Sequence, residues 1–362
     1  MQSAADKTPS SGVSGSTGAP PLVSVIVLNY NGTVWLPRCV ESLVQQTIFP
    51  QTQIIIADNL STDGSDRLSE QLLANIPNAL FVQNGCNRGF GAGSNMAVKH
   101  ATGRFLFFLN PDVWLEPDCL EQLCAAARDP SVGVVSALVL DYDSNQFQTA
   151  GATGFDLCGY MFDPATQPTP KILYSSHGFC FLSRELFERI GGYEENFFLY
   201  CEELDLSWRA RIAGKEVVYA DAARMHHRGA AAENPKGGTR IVEIRTSNSK
   251  RFYANRNHLI TLLKNAQHIR LLHLIPALAQ MFFEGIGGMI LLRRWSFFSR
   301  TFWDAIAGCW RLRRYLIAER RRIRSYRQCG DFQMLRFLSW RFNRWIEVKR
   351  FCHYGLPKVD NR

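Results

Sequence analysis

Five short runs of β-branched and aromatic residues, the first four each followed by a segment of helical periodicity, restrict this chain to one broad class of fold. They are Leu22–Leu28, Gln53–Asp58, Ala79–Gln83, Arg104–Leu109 and Val132–Leu140. Runs this apolar read as strands buried on both faces. Between them the spacing predicts helices from about Trp35 to Gln46, with Pro37 in the first turn, and from Ser65 to about Asn75. A third ends near Ala101 and a fourth runs from Asp118 to about Asp129. Strands alternating with such helices build right-handed βαβ units, so the expected fold is a Rossmann-like α/β domain with a mostly parallel sheet.

In such sheets ligands lie beyond the carboxyl ends of the strands. Those ends here carry Asn29 to Asn31, Asp58 to Asn59, Asn84 to Gly93 and Asn110 to Asp112, all polar or glycine-rich. Residues 1–21 are Ser, Gly, Ala, Thr and Pro with little to bury and are expected to be disordered. The α/β domain is expected over 22–265. Within it, Tyr142 to Pro170 loses periodicity and reads as loops and a hairpin, and helices return at Ser183–Ile190 and about Glu203–Ala213. Residues 266–362 read as a helical, basic and amphipathic region.

Several residues at these ends suit a definite chemistry. Asp58 closes a strand, where its carboxylate can accept hydrogen bonds from a base or ribose, while Asp63 or Ser65 suits the cap of the next helix. Asn110-Pro111-Asp112 ends a buried strand and sets one carboxylate at the sheet edge, suited to Mg²⁺ or Mn²⁺ with diphosphate oxygens completing the shell. Asn87-Arg88-Gly89-Phe90-Gly91-Ala92-Gly93 lets backbone approach a ligand closely and opens a helix whose N-terminus suits phosphate. It is not G-x-G-x-x-G and does not follow the first strand, which argues against a dinucleotide oxidoreductase. Glu202, Glu203 and Asp205 follow an aromatic run at a helix start, where an acid serves either the helix dipole or as a base beside a stacked sugar. His226, downstream of that pair, is a candidate further metal ligand.

Taken together these elements resemble the inverting family-two glycosyltransferases of GT-A fold, and within them the rhamnosyltransferase-like branch. The matching segments run in order from Val-Ser-Val-Ile-Val-Leu-Asn29-Tyr30-Asn31 through Asp58-Asn-Leu-Ser-Thr-Asp63-Gly-Ser65 and Asn87 to Asn95. They continue with Asn110-Pro-Asp112, Glu202-Glu203-Leu-Asp-Leu-Ser-Trp-Arg209 and His226-x-x-Gly229. The resemblance implies a nucleoside diphosphate sugar donor, dTDP- or UDP-linked, held by Asn29, Tyr30, Asn31, Asp58, Asn87, Arg88, Gly89 and Asn110. It also implies Asp112 on the metal, His226 as a further metal or diphosphate contact, and an acidic base. That base motif is usually Glu-Asp, and here its second residue is Glu203, with Glu202 as the alternative. The acceptor is expected to be a saccharide or lipid-linked hydroxyl, and the sugar rhamnose.

Charge separates the tail from the body. The chain carries a net +9, yet from Arg293 onward it holds eighteen Lys or Arg against five Asp or Glu, and the rest is net −4. Such a tail calls for an anionic partner. Leu271–Leu292 has the length of a membrane span, about 20 residues, but contains His273, Pro276, Gln280 and Glu284. With Arg293, Arg294, Arg300, Arg320, Arg321, Arg322 and Arg324 interleaved by Trp303, Trp310, Trp340 and Trp345, the pattern favours helices lying on an anionic membrane surface. Ten singly spaced cysteines and no secretory leader point to reduced thiols and a cytoplasmic protein on the inner face of the plasma membrane. Two readings compete. A nucleotidyltransferase would want a Gly-rich loop with Arg and Lys after the first strand, which Asn29–Thr33 lacks. A nucleic-acid-binding tail would stack bases on Arg and Trp, but no nucleic-acid motif occurs.

Overall fold

The computed structural model describes residues 20–162, 172–175, 178–229, 245–340 and 358–360. Its first half follows the sequence periodicity: β1 (Val23–Asn29), α1 (Leu36–Val44), β2 (Thr52–Asp58), α2 (Ser65–Leu73), β3 (Ala79–Gln83), α3 (Phe90–Val98) and β4 (Phe105–Leu109). Every residue of β1 and β4 is buried, which is why neither alternates. Parallel pairing sets Asn29 beside Asp58 and Asp58 beside Gln83. The polar strand ends therefore converge on one edge of the sheet.

Beyond β4 the expectation of a mostly parallel sheet fails. The chain continues as β5 (Val113–Leu115), α4 (Cys119–Ala126), β6 (Val132–Asp141), β7 (Phe147–Thr149) and a small pair, β8 (Gly154–Phe155) with β9 (Met161–Phe162). Then come β10 (Phe181–Ser183), α5 (Arg184–Ile190), α6 (Glu202–Ile212) and β11 (Glu216–His227). The strand order is β3-β2-β1-β4-β10-β6-β11-β5, with β7 on β6. β10 runs antiparallel to both β4 and β6, and β5 antiparallel to β11, so the sheet is mixed. β5 and β10 have three residues each, too few to show a period, and strand direction is not a local property. β11 extends over twelve residues. A register shift between Ala220 and Arg224 bulges it and breaks the alternation.

The C-terminal part is helical, as expected. It comprises β12 (Arg245–Ser247), α7 (Asn248–Asn265), a 3₁₀ turn, α8 (Leu274–Leu292), α9 (Trp295–Phe298), α10 (Asp304–Arg311) and α11 (Arg313–Tyr326). These helices are built into the α/β body. The Arg270 guanidinium lies between the rings of Phe155 and Trp208, 3.9 and 3.7 Å from their centres. Lys264 Nζ donates to Glu194 at 2.6 Å and to Asp205 at 2.9 Å, and the Tyr315 hydroxyl donates to Glu194 at 2.8 Å. Phe197, Leu259, Ile260, Met281, Phe298 and Phe302 share one apolar cluster. Burying each such side chain stabilises by about 1.5–3 kcal/mol, so the cluster fastens α7 to α11 to one another and to Phe197, while Lys264 ties α7 to Asp205 of α6. Residues 1–19 of the expected disordered tail, 163–170 of the expected hairpin region, and Trp345 lie outside the described residues.

Candidate active site

The ends of β1 and β2 are locked together by a dense polar network. Asn29 Nδ2 donates to Asp58 at 2.7 Å and to Ser65 Oγ at 2.9 Å. Asp58 is fully buried and also accepts from the Ser61 backbone N–H at 2.9 Å, the Ser61 hydroxyl at 2.5 Å and Gln83 at 3.0 Å. Both carboxylate oxygens are thus engaged in shaping the loop, and Tyr30 and Asn31 are exposed beside it, as are Leu60, Thr62 and Asp63. Asn31 holds a φ of 55° and accepts from the Thr62 N–H at 2.9 Å. Neither Asp63 nor Ser65 is the cap of α2, which is Gly64 in a left-handed conformation; Asp63 stands one residue ahead and accepts from the Ser65 N–H at 3.0 Å. Its slight burial would raise its pKa, but hydrogen bonds from Ser65 and Thr33 hold it down at about 2.

The glycine-rich loop approaches from the next strand. Asn59 Nδ2 donates to the Gly89 carbonyl at 3.1 Å, Asn84 donates to Asn59 at 2.8 Å, and Asn87 accepts from the Gly89 N–H at 3.0 Å. Arg88 is exposed. Gly89 has a φ of 81°, and a Cβ there would run into the Phe198 carbonyl. Gly89→Ala is therefore expected to cost at least about 2 kcal/mol, combining left-handed strain with a backbone clash. Thermal or urea denaturation reads this directly, and an unchanged midpoint would mean that the loop moves aside freely.

Asp112 follows β4 at the same edge, its side chain 16 % exposed. The imidazole that faces it is His227, not His226, with Nε2 3.6 Å from Asp112 Oδ2. Antiparallel pairing sets His226 opposite Trp114 and His227 opposite Val113, and strand alternation sends the two rings to opposite faces. His226 stacks on Trp114 with centres 3.6 Å apart; its ring nitrogens lie 3.0 Å from the Asp141 carbonyl and 3.3 Å from Glu116. His227 pairs through Nδ1 with Gln148 at 3.0 Å and packs against Phe179. Burial lowers its pKa to about 4, so at neutral pH it offers a lone pair instead of a charge. Among the described residues no group of three or more His, Cys, Asp or Glu could hold a metal alone. Asp112 and His227 together supply one oxygen and one nitrogen donor, which fits a divalent ion whose other positions go to phosphate oxygens and water.

Across the edge, α6 begins at a strained bend. Tyr200 and Cys201 both have positive φ, 74° and 73°. Asn257 of α7 holds the bend by donating to the carbonyls of Leu199 at 2.9 Å and Tyr200 at 3.0 Å. Glu202 is buried, and burial reinforced by the charge of Glu203 raises its pKa to about 8. Glu203 is partly exposed, and its charge is felt at Cys180 and Tyr193. Asp205 belongs to the scaffold: burial alone would raise it, but Arg209 and Lys264 hold it at about 2.

Residues 24–191 match the model of glycosyl transferase family 2. That stretch runs from the second residue of β1 through α5. Over 238 residues it is 27% identical to the N-acetylglucosaminyl-diphospho-decaprenol L-rhamnosyltransferase of Mycobacterium tuberculosis, covering 57% of this chain and 76% of that protein. Over 216 residues it is 29% identical to EpsH of Bacillus subtilis strain 168, covering 58% of this chain. The chain spans 61% of the length of that relative. The structure of GalNAc-T7 with UDP, GalNAc and Mn²⁺ is similar at a TM-score of 0.56 and 15% identity, covering 74% of this chain and 50% of that one. Residues 1–349 of Staphylococcus aureus TarS with UDP give 0.52 and 18%, covering 84% and 88%. These likenesses place the fold among GT-A-like α/β domains with a mixed sheet.

Within the stretch that matches the family 2 model the structure gathers Asn29, Asn31, Asp58, Asn87, Gly89 and Asp112 along the carboxyl edge of the strands. Sequence reading missed His227, whose signal was the His-His pair on a strand. It also missed the Asn59–Asn84 amide chain and Asn257, for which nothing local distinguishes a structural asparagine.

Proposed function

We propose that the protein transfers a sugar, with inversion, from a nucleoside diphosphate donor to a hydroxyl of a saccharide or lipid-linked acceptor, in the synthesis of cell-surface polysaccharide. The observation that carries this is the pairing of Asp112 with His227 at the carboxyl edge of the sheet, with Glu203 at the start of α6 across that edge. The loop groups of Tyr30 and Asn31 and the backbone of Asn87 to Gly89 hold the donor. Asn110 lies in the same turn as Asp112. Asp112 and His227 hold Mg²⁺ or Mn²⁺, which when bound neutralises the diphosphate leaving group. Glu203 takes the proton of the acceptor hydroxyl as it attacks the anomeric carbon. The rhamnosyl activity named for the mycobacterial relative makes dTDP-rhamnose the first donor to test and a UDP-sugar the second. A donor panel with and without EDTA, read by mass spectrometry of the product, decides the matter. Turnover of no nucleotide sugar on any polyprenyl or saccharide acceptor would overturn the reading.

Attachment to the inner face of the plasma membrane belongs to the same proposal. The stretch Ile269–Leu292 is long and apolar enough to cross a bilayer. However, α8 buries Ala277, Gln280, Met281 and Gly285 against the body and leaves Ile275, Phe283, Ile290 and Leu291 exposed. Trp295, Trp303 and Trp310 are exposed as well. One face packed and one bare suits a helix lying at head-group depth. Full-length protein is expected to sediment with anionic vesicles and to leave them in high salt with mild detergent. Ile275→Glu with Phe283→Glu is expected to abolish sedimentation; retention equal to wild type would refute the docking face. Truncation is a poor test, because α7 to α11 share the body's core.

A further inference from the structure

The basic run Arg320 to Arg324 is not one uniform surface. Arg322 turns to the body, donating to the Ile190 carbonyl at 2.9 Å and pairing with Glu319 at 2.7 Å. Arg320 and Arg327 cap the end of α7: Arg320 donates to the Ala266 carbonyl at 2.7 Å and Arg327 to that of Asn265 at 2.7 Å. Arg321 and Arg324 are exposed, and among the described residues neither has a hydrogen-bond or ion-pair partner. Helical spacing sets Ile317, Arg320, Arg321 and Arg324 on one face. That face, with Arg327, Gln267, His268 and Lys264, lines a groove of about 390 Å³.

The lining contains no carboxylate. The nearby acids are already committed. Glu194 and Asp205 neutralise Lys264, and Asp331 accepts the backbone N–H groups of Gln267, His268 and Arg270 at 2.9, 2.8 and 3.0 Å. Four guanidinium groups thus surround a concave space whose nearest counter-charge, Asp331, acts on Arg327 alone among them. Capping of α7 accounts for two of them. A solvated basic face would account for the other two, but solvation alone needs no groove, and like charges gathered around one repel. Guanidinium forks match phosphate oxygens two at a time, which a compact, multiply charged phosphate would satisfy.

We infer that this groove binds a phosphate-type polyanion, through Arg321 and Arg324 with Arg320 and Arg327 preset by their caps. The ligand is either a lipid head group or a soluble phosphate ester. The test uses full-length protein and the double variant Arg321→Glu, Arg324→Glu, which spares both caps. Inorganic pyrophosphate is titrated in EDTA by calorimetry, and vesicles of phosphatidylcholine are compared with and without phosphatidic acid. The charge reversal is expected to weaken pyrophosphate binding at least tenfold while leaving the midpoint of thermal unfolding and the binding of UDP with Mn²⁺ unchanged. If it also weakens retention on phosphatidic acid vesicles, and pyrophosphate competes there, the ligand is a head group; loss of pyrophosphate binding alone marks a soluble phosphate. Equal pyrophosphate binding by wild type and variant overturns the site, whatever the sugar-transfer assay shows.

Discussion

Asp112→Asn is expected to lower sugar transfer at least about a hundredfold, the scale of removing one electrostatic contact to a developing negative charge. The amide keeps the size of the side chain and its place after β4, so folding should survive, and unfolding curves can verify this. What is lost is the carboxylate charge facing His227, with its oxygen 3.6 Å from Nε2. Mn²⁺ affinity measured by titration should fall in parallel, and His227→Ala should weaken it about tenfold or more. His226→Ala should leave Mn²⁺ affinity near wild type and act on stability instead, by about 1–3 kcal/mol, through its lost stack on Trp114 and its two hydrogen-bond partners. Full activity of Asp112→Asn in the presence of EDTA would defeat the metal assignment. Loss of Mn²⁺ binding in His226→Ala but not His227→Ala would move the ligand back to the other ring.

Glu203→Gln is expected to keep donor binding and lose turnover by about 10²–10⁴, as for a removed general base. The choice between the two glutamates rests on their surroundings. A base must be ionised, and Glu202, buried and pushed to about 8, keeps its proton at neutral pH. Two adjacent carboxyls in one site do not ionise together easily, so the more solvated one carries the charge. Glu202→Gln should then retain much of the activity, with a shifted pH profile. It should also change stability in a defined direction. The folded-state pKa lies above the ordinary value of 4.5, so the unfolded chain releases this proton first and wild-type stability falls as pH rises from about 4.5 to about 8. In Glu202→Gln that part of the decline should vanish. An inactive Glu202→Gln beside a near-normal Glu203→Gln would reassign the base.

The legible part of the site was the part encoded within single elements. Asn29, Asp58, Asn87 to Gly93 and Asp112 each sit at the end of a run whose hydrophobic pattern marks a strand or the turn after it. The carboxyl-edge rule for α/β sheets then places them together without knowledge of any contact. The Glu202-Glu203 pair was equally visible, since acids at a helix start are a local signal. What could not be read was which of two adjacent residues does the chemistry. His226 and His227 differ only in the side of the strand they face, which depends on the register of β11 against β5. Glu202 and Glu203 differ in burial, which depends on α3 and the aromatic bend ahead of α6.

The sequence by itself determined the parallel half of the sheet, its helices, the polar edge and the basic, helical character of the C-terminal third. Each of these follows from periodicity, capping and composition over windows of a dozen residues or so. Only the tertiary structure decided the mixed sheet, because β10 is three residues long and its direction is set by the strands on either side. Only it tied α7 to α11 into the body through Lys264, Arg270 and Tyr315, and split one arginine run into caps, a body contact and a groove. Those outcomes turn on pairings between residues about 60 to 130 positions apart. The free energy of such pairings depends on burial and geometry that no local window contains.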